Sequence, residues 1–130
     1  GRIAGANMTG ANQIYTRGTF YNSAKFFDIE YQTYGLVSPE PSASEGHLYW
    51  EDKANRRAVR VAYDKVSERF LGINTFGIRL QHRLFDDWLR QKAKVAQVIT
   101  NLEKAGFDPE FYPDFLQQVT EEITQQLTPN

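Results

Sequence analysis

The sequence predicts an α+β fold, a four-stranded antiparallel sheet with the C-terminal helices packed on one face. Three observations carry that expectation. Polarity alternates with period two in stretches between Lys25 and Phe76, and the apolar spacing becomes helical after Leu80. The turns between the later strands are too short for the crossover that a parallel pair requires.

Taken in order, Gly1 to Gly10 is rich in small residues (Ala4, Gly5, Ala6, Gly10) that let a helix approach another backbone closely. Ten residues bury nothing by themselves, so this stretch reads as the tail of something larger. From Lys25 to Tyr34, Phe27, Ile29, Tyr31 and Thr33 alternate with Asp28, Glu30 and Gln32, a half-buried strand closed by Gly35. Leu36 to Gly46, with two Pro, three Ser and a Gly, is a loop. His47–Lys53 and Arg57–Asp64 form a hairpin, and Arg69–Phe76 is the fourth strand, with Gly72 and Gly77 allowing a bulge or close backbone approach. Short connections between these strands imply a meander.

Leu80, Leu84, Phe85, Trp88 and Leu89 then share one helix face, as do Val95, Val98, Ile99 and Leu102. Polar Gln91–Lys94 marks a bend between two helices, and Gly106 ends the second. Asp108-Pro109 opens a turn. A last helix is expected from Pro113, with Leu116, Val119, Ile123 and Leu127 at helical spacing. Trp50 and Trp88 should be largely buried.

Composition narrows the function. With 130 residues the chain is too short for a complete two-substrate cofactor enzyme. Hydrophobic residues at 41% and charged residues at 24% describe an ordinary globular chain, so a packed core is expected. No cysteine is present, which excludes disulfides, thiolate catalysis and Cys-ligated metals. A formal charge of −1 gives no electrostatic case for nucleic acid or membrane binding, and no apolar run or signal-like start is seen, so a cytoplasmic location is expected. The charge is unevenly spread. Residues 53–94 hold 11 Lys and Arg against 4 Asp and Glu, and residues 103–130 hold 1 against 6. That distribution suits an anion site or a pairing of opposite surfaces within or between subunits, but solvated charge on strands is the commoner outcome.

Reaction motifs are missing. His47 and His82 fall on different elements without a third ligand at metal spacing, so no metal site and no catalytic residue is expected. There is no Gly-x-Ser-x-Gly elbow, no Gly-x-Gly-x-x-Gly and no Walker loop. One segment stands apart: Phe20-Tyr21-Asn22-Ser23-Ala24-Lys25-Phe26-Phe27 sets four aromatics around an amide, a hydroxyl and a cation, just ahead of the expected first strand. Such a mixture suits a flat heteroaromatic ligand, although aromatic core plus a polar strand entry would look the same.

Three pieces in order resemble a known family. Arg2-Ile3-Ala4-Gly5-Ala6-Asn7-Met8-Thr9-Gly10 resembles the helix after the flavin-contacting Asp motif in FAD-dependent pyridine nucleotide–disulfide oxidoreductases. Asp28-Ile29-Glu30-Tyr31-Gln32-Thr33-Tyr34-Gly35 resembles the first strand of their C-terminal interface domain, most closely in the ferredoxin-reductase branch. Arg69-Phe70-Leu71-Gly72-Ile73-Asn74-Thr75-Phe76-Gly77 resembles its last strand. The likeness covers about residues 2–105. Where disulfide reductases carry a His-Pro pair, this chain has Gly106-Phe107-Asp108-Pro109-Glu110, which points away from a glutathione- or lipoamide-type reductase.

The resemblance implies two parts, residues 1–19 as a remnant of the preceding FAD-domain helix and linker and 20–107 as the interface domain; 108–130, to which it gives no role, reads as an acidic C-terminal helical tail. It implies a parent that uses FAD and NAD(P)H, partnership with upstream FAD- and NAD-binding domains of the same chain, and a homodimer. The chain alone would carry no cofactor and be catalytically silent. In the ferredoxin-reductase branch a Trp lies near the flavin just before the first strand, and alignment on Asp28-Ile29 puts Ser23 there. Tyr21, Asn22, Ser23 and Lys25 are thereby expected to border the flavin of the parent. The alternative is a stand-alone interaction or ligand-binding module without enzymatic activity.

Overall fold

The computed structural model describes residues 1–107 and 115–127. The start expected for the last helix at Pro113, and the turn at Asp108-Pro109, lie outside the described residues. The chain folds as α1 (Arg2–Met8), β1 (Tyr21–Phe26), β2 (Ile29–Gly35), β3 (Glu45–Asp52), β4 (Arg57–Asp64), β5 (Phe70–Phe76), α2 (His82–Arg90), α3 (Val95–Thr100) and α4 (Leu116–Leu127). A short 3-10 turn, Leu102–Ala105, follows α3 and ends at Gly106.

The α+β class holds, but the antiparallel sheet has five strands, not four, in the order β1-β2-β5-β4-β3. The stretch 25–34 is not one strand. Phe27 and Asp28 form a two-residue turn, with Phe27 in the left-handed region at φ 54, so that Phe26 pairs with Ile29 and Tyr21 with Tyr34. A turn of two residues preserves the period-two pattern, which makes the hairpin look continuous. The meander is likewise partial: β3, β4 and β5 follow one another, while β2 pairs with β5 rather than β3.

The covered face is the other side of the alternation from the apolar one. Gln32 and Tyr34 are buried, whereas Ile29 and Phe27 are exposed. Register puts Tyr34 opposite Ile73, Ile73 opposite Val61, and Val61 opposite Leu48, so these side chains share one face. Phe85, Trp88, Val95, Val98, Leu116, Val119 and Ile123 of the helices close the same core over Trp50 and Val59. Trp50 and Trp88 are both buried, as expected. The α4 positions Leu116, Val119 and Ile123 belong to this core, so the last helix packs as part of the same body.

Two glycines set the β2–β5 spacing. A Cβ on Gly35, at φ +69, would sit 2.2 Å from the Leu71 carbonyl oxygen, and one on Gly72 would sit 2.6 Å from that of Tyr34. The close approach expected at Gly72 is therefore real, and a register shift follows in β4 between Ala62 and Tyr63. At the β3 edge Gln126 acts as a strand mimic. Its Oε1 accepts from the Tyr49 amide at 3.0 Å and its Nε2 donates to the Tyr49 carbonyl at 2.8 Å.

Candidate functional site

Alternation along β1 divides the four expected site residues. Tyr21, Ser23 and Lys25 lie opposite Tyr34, Gln32 and Glu30, on the side the helices cover. Asn22 lies on the other side, where its Nδ2 donates to the Tyr31 hydroxyl at 3.4 Å. Lys25 sits exposed near the hairpin tip.

Tyr21 and Ser23 help line a cleft of about 270 Å³, completed by Glu30, Gln32, Arg79, His82 and Phe107. The Tyr21 hydroxyl donates to Ser23 Oγ at 3.0 Å. Its ring stacks on Tyr34 at 5.1 Å and meets the His82 ring at 4.3 Å. Tyr34 in turn stacks on Phe85 at 4.7 Å, so an aromatic column runs from the cleft into the core.

The start of α2 is fixed by two buried side chains of β2. Gln32 Oε1 accepts from the Leu80 amide at 2.7 Å, and the Tyr34 hydroxyl donates to the Leu80 carbonyl at 3.0 Å. Leu80 is thus held at both ends of its backbone, and His82 is delivered to the cleft two residues later. Burial, with smaller contributions from Tyr21 and Glu30, pushes the Tyr34 phenol well above its ordinary range, so it stays a neutral donor.

Arg79 donates from Nε to Glu30 Oε1 at 2.8 Å and lies over the Phe107 ring at 5.4 Å. Phe107 is brought there because its amide bonds the Arg79 carbonyl and the Gln81 side chain bonds the Gly106 carbonyl. On the α2 side, hydrogen bonds from Thr19 and Arg90 hold the Asp86 carboxyl below the usual carboxylate range. That bond ties the segment before β1 to the helix. The cleft therefore offers an aromatic wall, a hydroxyl, an amide and a compensated ion pair, which suits the edge of a flat polar ring more than a free anion.

Of the four residues expected at the site, Tyr21 and Ser23 line this cleft and Asn22 and Lys25 do not, while Gln32, Arg79 and His82 line it without having been expected there. The signal was faint: a Gln on the strand side opposite the apolar one, and a His beginning a helix. His47 is elsewhere, on β3, with Nε2 at 2.8 Å from Glu45. Among the described residues no group of three or more His, Asp or Glu could hold a metal ion. Nor is any described helix long and apolar enough to cross a membrane.

No known protein family and no curated protein matches this chain in sequence. Solved structures do share the fold. The chain is similar to a NAD-dependent persulfide reductase from A. fulgidus, with TM-score 0.63, 17% identity, and 97% of this chain against 25% of that one. It is also similar to a FAD-dependent pyridine nucleotide-disulphide oxidoreductase from Desulfovibrio vulgaris, with TM-score 0.59, 16% identity, and 98% of this chain against 31% of that one. The chain spans a quarter to a third of these enzymes, and at such identity the likeness is one of fold. The second is named as an enzyme of the kind that the three sequence pieces resemble.

Proposed function

We propose that this chain is the C-terminal interface domain of an FAD- and NAD(P)H-dependent oxidoreductase. By itself it is catalytically silent; in the parent it contributes to oligomerisation and to one wall of the flavin site. The observation that carries this reading is the end-to-end fold match to a domain-sized part of two reductases, 97% and 98% of this chain. Residues 1–19 are then the remnant of the FAD-domain helix and linker, 20–107 the interface domain, and 108–130 an acidic C-terminal extension whose helix α4 packs on the same core. In support, no residue of α1 is buried, as befits a helix whose packing partner is another domain. A stand-alone module would give that helix no role.

The residues present fit a wall and not a whole cofactor site. Tyr21 and His82 supply ring surface, backed by the buried Tyr34 ring, and Ser23 and Gln32 supply polar groups. Bound FAD would supply the hydride chemistry. Tyr21 and Ser23 would orient the ring edge, with Asn22 on the far side of the strand. Lys25 would stabilise negative charge on the reduced ring.

The test is Lys25→Ala in the full-length protein. A lowered flavin reduction potential with unchanged folding supports the wall. A potential and absorbance spectrum identical to wild type would overturn the role of Lys25, and the same result for Tyr21→Ala, whose ring lines the cleft, would overturn the wall. The 130-residue chain alone should bind no FAD and oxidise neither NADH nor NADPH.

A further inference from the structure

We propose that the end of the molecule between the last residue of β2, the start of β5 and the last turn of α2 binds an aliphatic carboxylate. The alkyl chain lies in a leucine-lined trough, and the head group meets Arg69 and Lys92. Among the described residues, the trough and the cleft at Tyr21 have no lining side chain in common.

The trough exists because the sheet outruns its helices. The β2–β5 ladder continues one step past Tyr34 and Ile73, where the Leu36 amide bonds the Leu71 carbonyl at 3.0 Å. By alternation Leu36 and Leu71 then belong to the side that carries the core. The helix layer stops short of them. Helix α2 ends at Arg90, and the chain turns through Lys92 in the left-handed region at φ 54. Leu36 is left 74% exposed. Leu89 forms the helix-side wall, and Gly35 lets it approach: a Cβ there would sit 3.0 Å from Leu89 Cδ2.

Two hollows, of about 550 Å³ and 500 Å³, meet at Leu36, Leu71 and Leu89. Each has the size of a small-molecule site and opens to solvent along one side.

Charge selects the head group. In the basic stretch, Arg56, Arg79, Arg90 and Lys94 are ion-paired to acids of the same chain. Arg69 and Lys92 share one end of the trough, and neither has an ion-pair partner among the described residues. The acid at that end, Glu45, is committed to its own loop. Its carboxylate meets His47 Nε2 at 2.8 Å and accepts from the backbone amides of Ser38 and Ser42. A carboxylate matches the guanidinium fork, with the ammonium as a second cation. An inorganic anion would leave the leucines wet, and a neutral hydrocarbon would leave the cations unmatched. An amphiphile satisfies both. At the far end the half-exposed Phe20 ring receives the tail, and Arg90 there is held by Asp86.

The experiment titrates the 130-residue chain with octanoate and follows leucine methyl shifts by NMR. Saturating shifts at Leu36, Leu71 and Leu89 below the micelle range are expected. Affinity should rise about fivefold or more from hexanoate to octanoate and again to decanoate, since each buried methylene adds transfer free energy. Arg69→Gln combined with Lys92→Gln changes two exposed side chains and should weaken octanoate about tenfold or more. Octanol, with the same chain and no charge, should bind the double variant and the wild type alike. Leu36→Asn should weaken both ligands, and Arg17→Gln, at the tail end, should alter neither. Absence of the leucine shifts, equal binding of octylammonium, no dependence on chain length, or octanoate affinity unchanged in the double variant would each overturn the proposal. None of these measurements involves flavin, so their failure leaves the flavin-wall reading to its own test.

Discussion

Tyr34 and Leu80 are joined by a buried hydrogen bond, phenol to carbonyl, at 3.0 Å across the layer between β2 and α2. Tyr34→Phe keeps the ring column but leaves that carbonyl without its phenol donor. The expected loss is about 1–3 kcal/mol in chemical denaturation, with little change in the packing of Phe85.

The same phenol predicts alkaline sensitivity. Burial raises the Tyr34 pKa in the folded state above the ordinary value of 10.0. The folded chain therefore retains a proton that the unfolded chain gives up, and stability is full below about pH 10 and declines above it. Denaturation midpoints across that range should fall in the wild type and fall less in Tyr34→Phe.

Gly35→Ala should be severe. The residue sits at φ +69 and its added Cβ would meet the Leu71 carbonyl at 2.2 Å, a backbone contact that no rotamer relieves. A cost of about 3 kcal/mol or more is expected, because strain at a left-handed position adds to a steric clash. Thermal unfolding read by circular dichroism would register it.

Gln126→Ala removes both bonds to Tyr49 while touching the exposed end of α4. About 1–2 kcal/mol should be lost. Amide exchange at Tyr49 should accelerate more than at its β4 partner Arg60, which distinguishes an unsealed edge from general weakening.

Asp86 reports on the segment ahead of β1. The Thr19 hydroxyl is the largest cause of its low pKa, ahead of Arg90. Thr19→Val should move the carboxyl back toward its ordinary value in an NMR titration. A depressed carboxylate adds stability above its unfolded pKa and loses it as pH falls through the folded one, so acid unfolding of Thr19→Val should show a smaller contribution from this group.

Much of the core could be read in advance because it rests on local periodicity. Trp50, Trp88, Val98, Val119 and Ile123 are all where strand and helix spacing put them. The β1–β2 hairpin was not legible, since Phe27 takes a left-handed conformation without the Gly or Asn that usually announces one. The buried side of β2 was not legible either. Gln32 and Thr75 look like surface residues, yet they face inward to satisfy the Leu80 amide and the Ile78 carbonyl. Such partners lie far off or around a turn, and polarity patterns do not record them. The candidate site suffered similarly: Tyr21 and Ser23 were within one segment, but His82 and Arg79 reach them only through the β2–α2 contact.

The strand order also sets a sequence of events. Strands β3, β4 and β5 are joined by short turns, and so are β1 and β2, but the β2–β5 ladder unites partners separated by the whole β3–β4 hairpin. Closing that ladder carries the largest loop entropy in the sheet, so the two local units should form early and their docking should limit the folding rate. The seam between Tyr34 and Ile73, though buried at the centre of the native molecule, is then the last part of the sheet to form.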